Sequence, residues 1–221
     1  PRVSASASFA AKSGDLVRAI RSVVHCASTS AVKPELQSIL VYGEGSKLVA
    51  AATDSFRLAE KTVPLRTNTS VPQLLLPARN ATELMRLLEG VNGETEVYYN
   101  EHQISTHINN TYYTSRLIDG TFPNYRQIIP KTFTVEVVVL REDLASALKS
   151  LSIFSDKFLQ VSFTIDPVRR AILLSSRNPD VGETTCVIRA TISGEGLSMN
   201  FNSRYLADSL QSITGESVRI Q

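Results

Sequence analysis

An α+β fold, built from two copies of one strand-helix-strands unit with helices on one face of antiparallel sheets, is predicted by three features of the sequence. The first is self-similarity. "DLVRAIRSV" from Asp15 and "DLASALKSL" from Asp143 share Asp-Leu, an Ala followed by an aliphatic residue, a base, Ser and an aliphatic residue at equal spacing. The second is a later pair in the same order, "PARNATELMRLL" and "NSRYLADSLQSI", in which Arg79 matches Arg204 and Leu88 matches Ile213. The third is apolar alternation, the mark of half-buried strands, in the stretches between the helical ones. With 221 residues the chain suits one large or two small domains, and the repeat predicts residues 1–130 and 131–221.

Taken in order, "VSASASFAA" predicts a strand running straight into the first helix. There Leu16, Ala19, Ile20, Val23 and Val24 recur with helical period, which leaves Arg18, Arg21 and His25 on the opposite face. "QSILVYGEGSKLVAAAT" predicts two strands around a Gly-containing turn. "TDSFRLAE" then breaks the apolar run, and the expectation is a turn whose Asp54 carboxylate bonds nearby backbone N–H groups. In the second helix Ala81, Leu84, Leu88 and Val91 form the buried stripe, with Arg79, Glu83 and Arg86 opposite. "TEVYYNEHQISTHINNTYYTSRLI" predicts three strands with "NEHQ" and "NN" as turns.

The second unit repeats the order from "FTVEVVVL", with "SSRNPDVGE" as a looser counterpart of "AATDSFRLAE" and Arg204, Asp208 and Gln211 as its later polar stripe. The first unit runs about thirty residues beyond "ETEVYY", whereas the second stops at "ESVRIQ", the matching point. The expectation is a second unit lacking its last strands, with unpaired edges and exposed core.

Bulk properties exclude several classes. A formal charge of +2, from 23 basic and 21 acidic side chains, cannot by itself attract nucleic acid, so any such attraction must come from charge placement. Cys26 and Cys186 fit neither a disulfide framework nor a zinc site, and a reducing cytoplasm suits them. "PRVSASASFAAKSGD" has no signal-peptide core and no apolar stretch reaches membrane length, so a soluble protein without membrane contact is expected. Triplets of glycosylation type at Asn68, Asn80 and Asn109 are read as chance.

No catalytic residue, metal site or cofactor is predicted. The chain has three His (His25, His102, His107), no Gly-x-Ser-x-Gly elbow, no phosphate-binding Gly loop and no His-Glu-x-x-His. His102 and His107 are expected on opposite faces of a hairpin, poor geometry for a shared ligand. Asp54 with Arg57, and Asp119 with Arg126, read as turn or surface pairs rather than as acid and base.

"ATDSFRLA", "LIDGTFPNYRQIIP" and "FNSRYLADSL", in this order and spacing, resemble the bacterial β sliding clamp family, the β subunits of DNA polymerase III. The likeness runs over essentially the whole chain and matches the middle domain plus a C-terminal domain without its last strands, the DNA-clamp fold. The resemblance implies a processivity factor of DNA replication that does no chemistry. Two chains of such a clamp form a homodimeric ring around double-stranded DNA without reading its sequence, and the replicative polymerase, clamp loader and repair proteins attach through short peptides.

Carried over position by position, the resemblance implies a peptide groove between the middle and C-terminal domains lined by Leu36, Thr53, Ser55, Phe56, Arg57, Leu58, Pro123, Gln127, Ile128, Asn202 and Tyr205. It likewise implies that Arg18, Arg21, His25, Arg79, Arg86, Lys149 and Arg204 face DNA, through phosphates rather than base edges. Leu36, Leu58, Pro123, Ile128 and the Tyr205 ring could then take a Leu or Phe anchor, while Thr53, Arg57 and Asn202 meet peptide backbone or a Gln amide. Many members carry Gly and a His or Tyr at the positions of Ser55 and Phe56, and a base at that of Gln127, so a different peptide preference is implied. The alternative is a stand-alone, clamp-like peptide-binding scaffold that encircles no DNA.

Overall fold

β1 (Ala7–Lys12) enters α1 (Ser13–Val23) with no intervening loop. The joint is held by Ser13, fully buried, whose N–H donates to Gly93 O at 3.0 Å and whose hydroxyl lies 2.8 Å from Thr95 Oγ1. This structure, a computed structural model, describes residues 6–66 and 70–221. The triplet at Asn68 and the first residues of the predicted opening strand lie outside the described residues. The chain divides into two units, the first reaching Asn124 and the second Tyr125–Gln221.

In the first unit β2 (Ser38–Glu44), β3 (Lys47–Thr53), β4 (Leu58–Pro64) and β5 (Leu74–Pro77) make an antiparallel sheet in the order β4-β3-β2-β5. Gly45, at φ 59, supplies the left-handed residue of the β2–β3 turn. α2 (Ala78–Leu88) leads to β6 (Glu94–Tyr99), β7 (Gln103–Ile108) and β8 (Thr111–Arg116), in a sheet ordered β1-β6-β7-β8. The turn expected at "NEHQ" is an Asx turn, in which Asn100 Oδ1 accepts from the backbone N–H of His102 and of Gln103. One core is shared by an inner face of each sheet and the apolar sides of both helices.

The predicted stripes are present with three differences. Val17 is buried too, which widens the apolar face of α1, because this helix meets both β4 and α2. Val91 packs on the core from beyond the end of α2, and Val24 and His25 belong to a 3-10 turn, Val24–Cys26, that follows α1.

The second unit repeats this plan. β9 (Glu136–Leu140) runs into α3 (Arg141–Leu151), followed by β10 (Gln160–Asp166), β11 (Ala171–Asn178), β12 (Gly182–Arg189), β13 (Thr191–Ser193), β14 (Leu197–Asn202), α4 (Ser203–Ser212) and β15 (Ser217–Ile220). Its sheets are ordered β12-β11-β10-β14 and β13-β9-β15. The repeat persists in single hydrogen bonds: Arg141 N–H donates to Glu216 O at 2.8 Å, as Ser13 does to Gly93 O, and Leu140 pairs with Ser217 as Lys12 does with Glu94. Among the described strands β6 lies between β1 and β7, whereas its counterpart β15 pairs with β9 alone. Leu197 and Met199 on β14 are exposed.

Close packing in this unit requires glycine at 194. Its φ is +105°, and a Cβ there would stand 2.4 Å from Thr134 O. Among the described residues no helix is long and apolar enough to cross a membrane.

Candidate functional site

The stretch "TDSFRL" links β3 to β4 and is organised by its own side chains. Asp54 Oδ1 accepts from Phe56 N–H at 2.9 Å and Arg57 N–H at 3.0 Å, and Asp54 Oδ2 accepts from Arg57 Nε at 3.0 Å. The Thr53 hydroxyl donates to Arg57 O at 2.7 Å and accepts from Ser55 N–H at 3.1 Å. Asp54 is therefore a turn-former, as its position predicts, and Arg57 is its partner. Ser55 sits at φ 78, a left-handed conformation that glycine adopts freely and a Cβ disfavours. The consequence of the turn is that the Phe56 ring stands out at 84% exposure.

Strand alternation decides what surrounds this turn. Leu48, Ala50 and Ala52 of β3 enter the main core, so Val49, Ala51 and Thr53 face the other way. Cross-strand pairing puts Leu58 beside Thr53, and Leu40 beside both Ala51 and Leu75. This second face is itself apolar and covered: Leu40, Val49, Ala51 and Leu75 are buried, and Ile118 N–H donates to Leu75 O at 2.9 Å. Leu36 and Phe122 are buried outside the main core, while Pro123 is exposed. Burying each of the leucines contributes about 2 kcal/mol. Leu40 and Leu75 were missed from the sequence. Their signal was present, since "SILVY", "LVAAA" and "LLL" are apolar without alternation, the pattern of strands buried on both faces.

In the second unit Gln127 and Ile128 lie on a short 3-10 helix, Tyr125–Ile128, with Ile128 72% exposed. Asn202 is the N-cap of α4, its Oδ1 accepting from Arg204 N–H at 3.0 Å and Tyr205 N–H at 3.3 Å. It is the one side-chain cap among the four described helices. Tyr205, half-buried, follows in the first turn of α4. Within the first unit, then, Thr53, Ser55, Phe56, Arg57 and Leu58 form one turn and its strand ends, and within the second Asn202 and Tyr205 share one helix start. The polar atoms of Thr53 and Asn202 are already used internally.

The cations assigned to DNA stand on helices. Arg18 and Arg21 on α1, and Arg79 and Arg86 on α2, are exposed, and α1 packs against α2. Three of these four carry a carboxylate partner: Arg18 pairs with the buried Asp15, Arg21 with Glu89 at 2.5 Å and Arg86 with Glu83 at 2.8 Å. Arg79 has no ion pair among the described residues, and the same holds for Lys149 on α3 and Arg204 on α4. Lys149 and Arg204 line one cleft between α3 and α4. The exposed pairs Arg21–Glu89 and Arg86–Glu83 contribute little stability, and all three carboxylates lower the positive potential of the α1–α2 face.

Chemistry-bearing groups are otherwise sparse. Among the described residues no group of three or more His, Cys, Asp or Glu could hold a metal ion. His107 is exposed on β7, and His102 is exposed in the turn before it rather than on a strand face. The Tyr113 phenol donates to Asn80 O at 2.8 Å, and burial pushes its pKa up to about 12. It joins β8 to α2.

Comparison with known proteins places both units. Sequence models of the DNA polymerase III beta subunit match residues 11–124, as its central domain, and residues 126–221, as its C-terminal domain. The chain is 28% identical over 213 residues to the beta sliding clamp of Salmonella typhimurium, covering 96% of this chain and 58% of that protein. It is 29% identical over 190 residues to that of Escherichia coli K12, covering 86% and 51% respectively. Among solved structures it is similar to the DNA polymerase sliding clamp of Bacillus subtilis, with a TM-score of 0.93 at 27% identity, covering 99% of this chain and 58% of that one. The chain thus spans about half to three-fifths of the length of these relatives.

Proposed function

Because this chain belongs to the bacterial family of the DNA polymerase III beta subunit, with the central and C-terminal domains in order, we propose that it serves as part of a sliding clamp in DNA replication. In this reading it supplies central and C-terminal domains to a clamp whose homodimeric ring encircles duplex DNA and tethers the replicative polymerase, clamp loader and repair proteins. It catalyses nothing and works in the cytoplasm. The observation that carries the reading is the agreement of two adjacent domain matches with a fold similar to a solved clamp at a TM-score of 0.93.

Partner peptides dock on Leu36, Ser55, Phe56, Leu58 and Pro123 from the first unit and on Gln127, Ile128 and Tyr205 from the second. Phe56 and Ile128 support this assignment, being large apolar side chains held in water at 84% and 72% exposure. Thr53, Arg57 and Asn202 act by shaping the turn and the helix start, since their polar groups are bonded within the chain. DNA is met by Arg18, Arg21, His25, Arg79, Arg86, Lys149 and Arg204 through phosphates, in a weak and salt-dependent way.

The test is binding of a fluorescein-labelled peptide containing Gln and a Leu-Phe pair. Wild type binds, and Leu58→Ala and Pro123→Ala each weaken binding about tenfold, the loss of one apolar anchor. Equal binding by all three proteins refutes the docking assignment. A second reading, a peptide-binding scaffold that encircles no DNA, is favoured by the carboxylates beside Arg18, Arg21 and Arg86. Duplex binding whose affinity falls with salt rejects the scaffold, whereas peptide binding without any duplex binding supports it.

A further inference from the structure

We propose that the cleft between α3 and α4 binds a small amphiphilic anion, an apolar body bearing one carboxylate. The cleft is open to solvent and has a volume of about 510 Å³, within the range of small-molecule sites. Its floor includes Ala145, Leu148 and Leu210, its cations are Arg141, Lys149 and Arg204, and no Asp or Glu lines it. An inorganic ion alone gains nothing from such an apolar floor, and a neutral hydrocarbon gains nothing from the cations. The complement of both is a ligand with one charged end.

The first unit shows which substitutions open this space. Along the repeat, Ala145 stands at the position of Val17, Ser152 at that of Val24 and Ala207 at that of Thr82, each a smaller side chain. In the first unit Val17 is buried and α1 closes on α2. The second unit keeps the same helix pair but withdraws atoms from between them.

Arg141 adds the charge. Its counterpart, Ser13, is buried with its hydroxyl committed to Thr95 and Gly93. Arg141 keeps the backbone bond, to Glu216 O, but its Nε is a buried donor with no hydrogen-bond partner. Glu142 Oε1 lies 3.7 Å from Arg141 Nη2, beyond hydrogen-bond length, on a side chain 85% exposed. Arg141 lines the cleft with a side chain 33% exposed, so the accessible part of its guanidinium is open to a ligand carboxylate there, while the buried Nε shows that its N–H groups are not all satisfied within the chain. This inference does not depend on the peptide-docking assignment.

The experiment titrates the 221-residue chain with 2-naphthylacetate and with its neutral isostere 2-naphthylacetamide, by calorimetry. The acid is expected to bind about tenfold more tightly than the amide. Arg141→Ser brings the ratio of the two affinities to about one, a selectivity change that general loss of folding does not produce. The pair Ala145→Val and Ser152→Val, which restores the side chains of the first unit, abolishes binding of both probes while the unfolding midpoint holds or rises. Equal binding of acid and amide to the wild type, absence of binding by either, or a ratio untouched by Arg141→Ser overturns the proposal. Arg141-dependent binding of a short duplex by a chain that ignores the acid assigns the cleft to DNA phosphates and also overturns it.

Discussion

Replacing Asp54 separates two roles that its carboxylate plays at once. Oδ1 holds the N–H groups of Phe56 and Arg57, and Oδ2 holds Arg57 Nε, all within 2.9 to 3.0 Å. The Asp54 and Arg57 side chains are 15% and 19% exposed, so water replaces these bonds incompletely. Hydrogen bonds to a charged group contribute about 1.5–3 kcal/mol each, and the one to Phe56, in an exposed stretch, falls at or below the lower end. Asp54→Ala removes all three and leaves the Arg57 charge without this partner, for a loss of about 3 kcal/mol. Asp54→Asn keeps an oxygen for both backbone groups and forfeits only the ion pair, for about 1.5 kcal/mol. The chain has no Trp, so urea unfolding is followed by far-UV circular dichroism. With two units, the curve is fitted to two transitions, and only the one belonging to the first unit moves. An Asn variant as damaged as the Ala variant means that the ion pair alone secures the turn. Losses under about 0.5 kcal/mol in both refute the role of this carboxylate altogether.

Other perturbations follow from the same geometry. Ser55→Gly relieves a side chain at φ 78 and stabilises the first unit by about 0.5–1 kcal/mol in the same urea assay, after the greater chain entropy of unfolded glycine is offset. Asn202→Ala removes the cap of α4 and costs about 1 kcal/mol, with Asn202→Asp retaining most of the stability. Gly194→Ala must displace Thr134 O and costs more than about 1 kcal/mol, seen as a lower unfolding midpoint of the second unit. Burial raises Tyr113 from 10.0 to about 12, so the unfolded chain loses this proton first as pH rises. Its contribution is complete below about pH 10 and disappears as pH climbs toward 12, and Tyr113→Phe flattens that segment of the stability–pH curve.

Local pattern along the chain was enough to specify the elements and their duplication. Helical period marked Leu16, Ile20, Leu84 and Leu88 as buried, and each is. Alternation and the "NEHQ" and "NN" turns marked β6, β7 and β8, because these signals are local and the residues that carry them are adjacent in the chain. Asp54 was legible as a turn-former for the same reason, since its acceptors' partners are two and three residues away.

Tertiary structure alone decided what lies across from what. Leu40 and Leu75 meet on the second face of a sheet through pairing between strands more than thirty residues apart, a register that no local pattern specifies. Ser13 is buried because Gly93 and Thr95, 80 and 82 residues further along the chain at the start of β6, come within hydrogen-bond reach of it, a contact that the local sequence does not specify. Likewise Thr53 and Asn202 present suitable chemistry in the sequence, yet the fold spends their polar atoms on the chain's own backbone. Side-chain type is written residue by residue, but whether a donor or acceptor is left for a partner depends on which backbone groups packing has already brought within 3 Å of it.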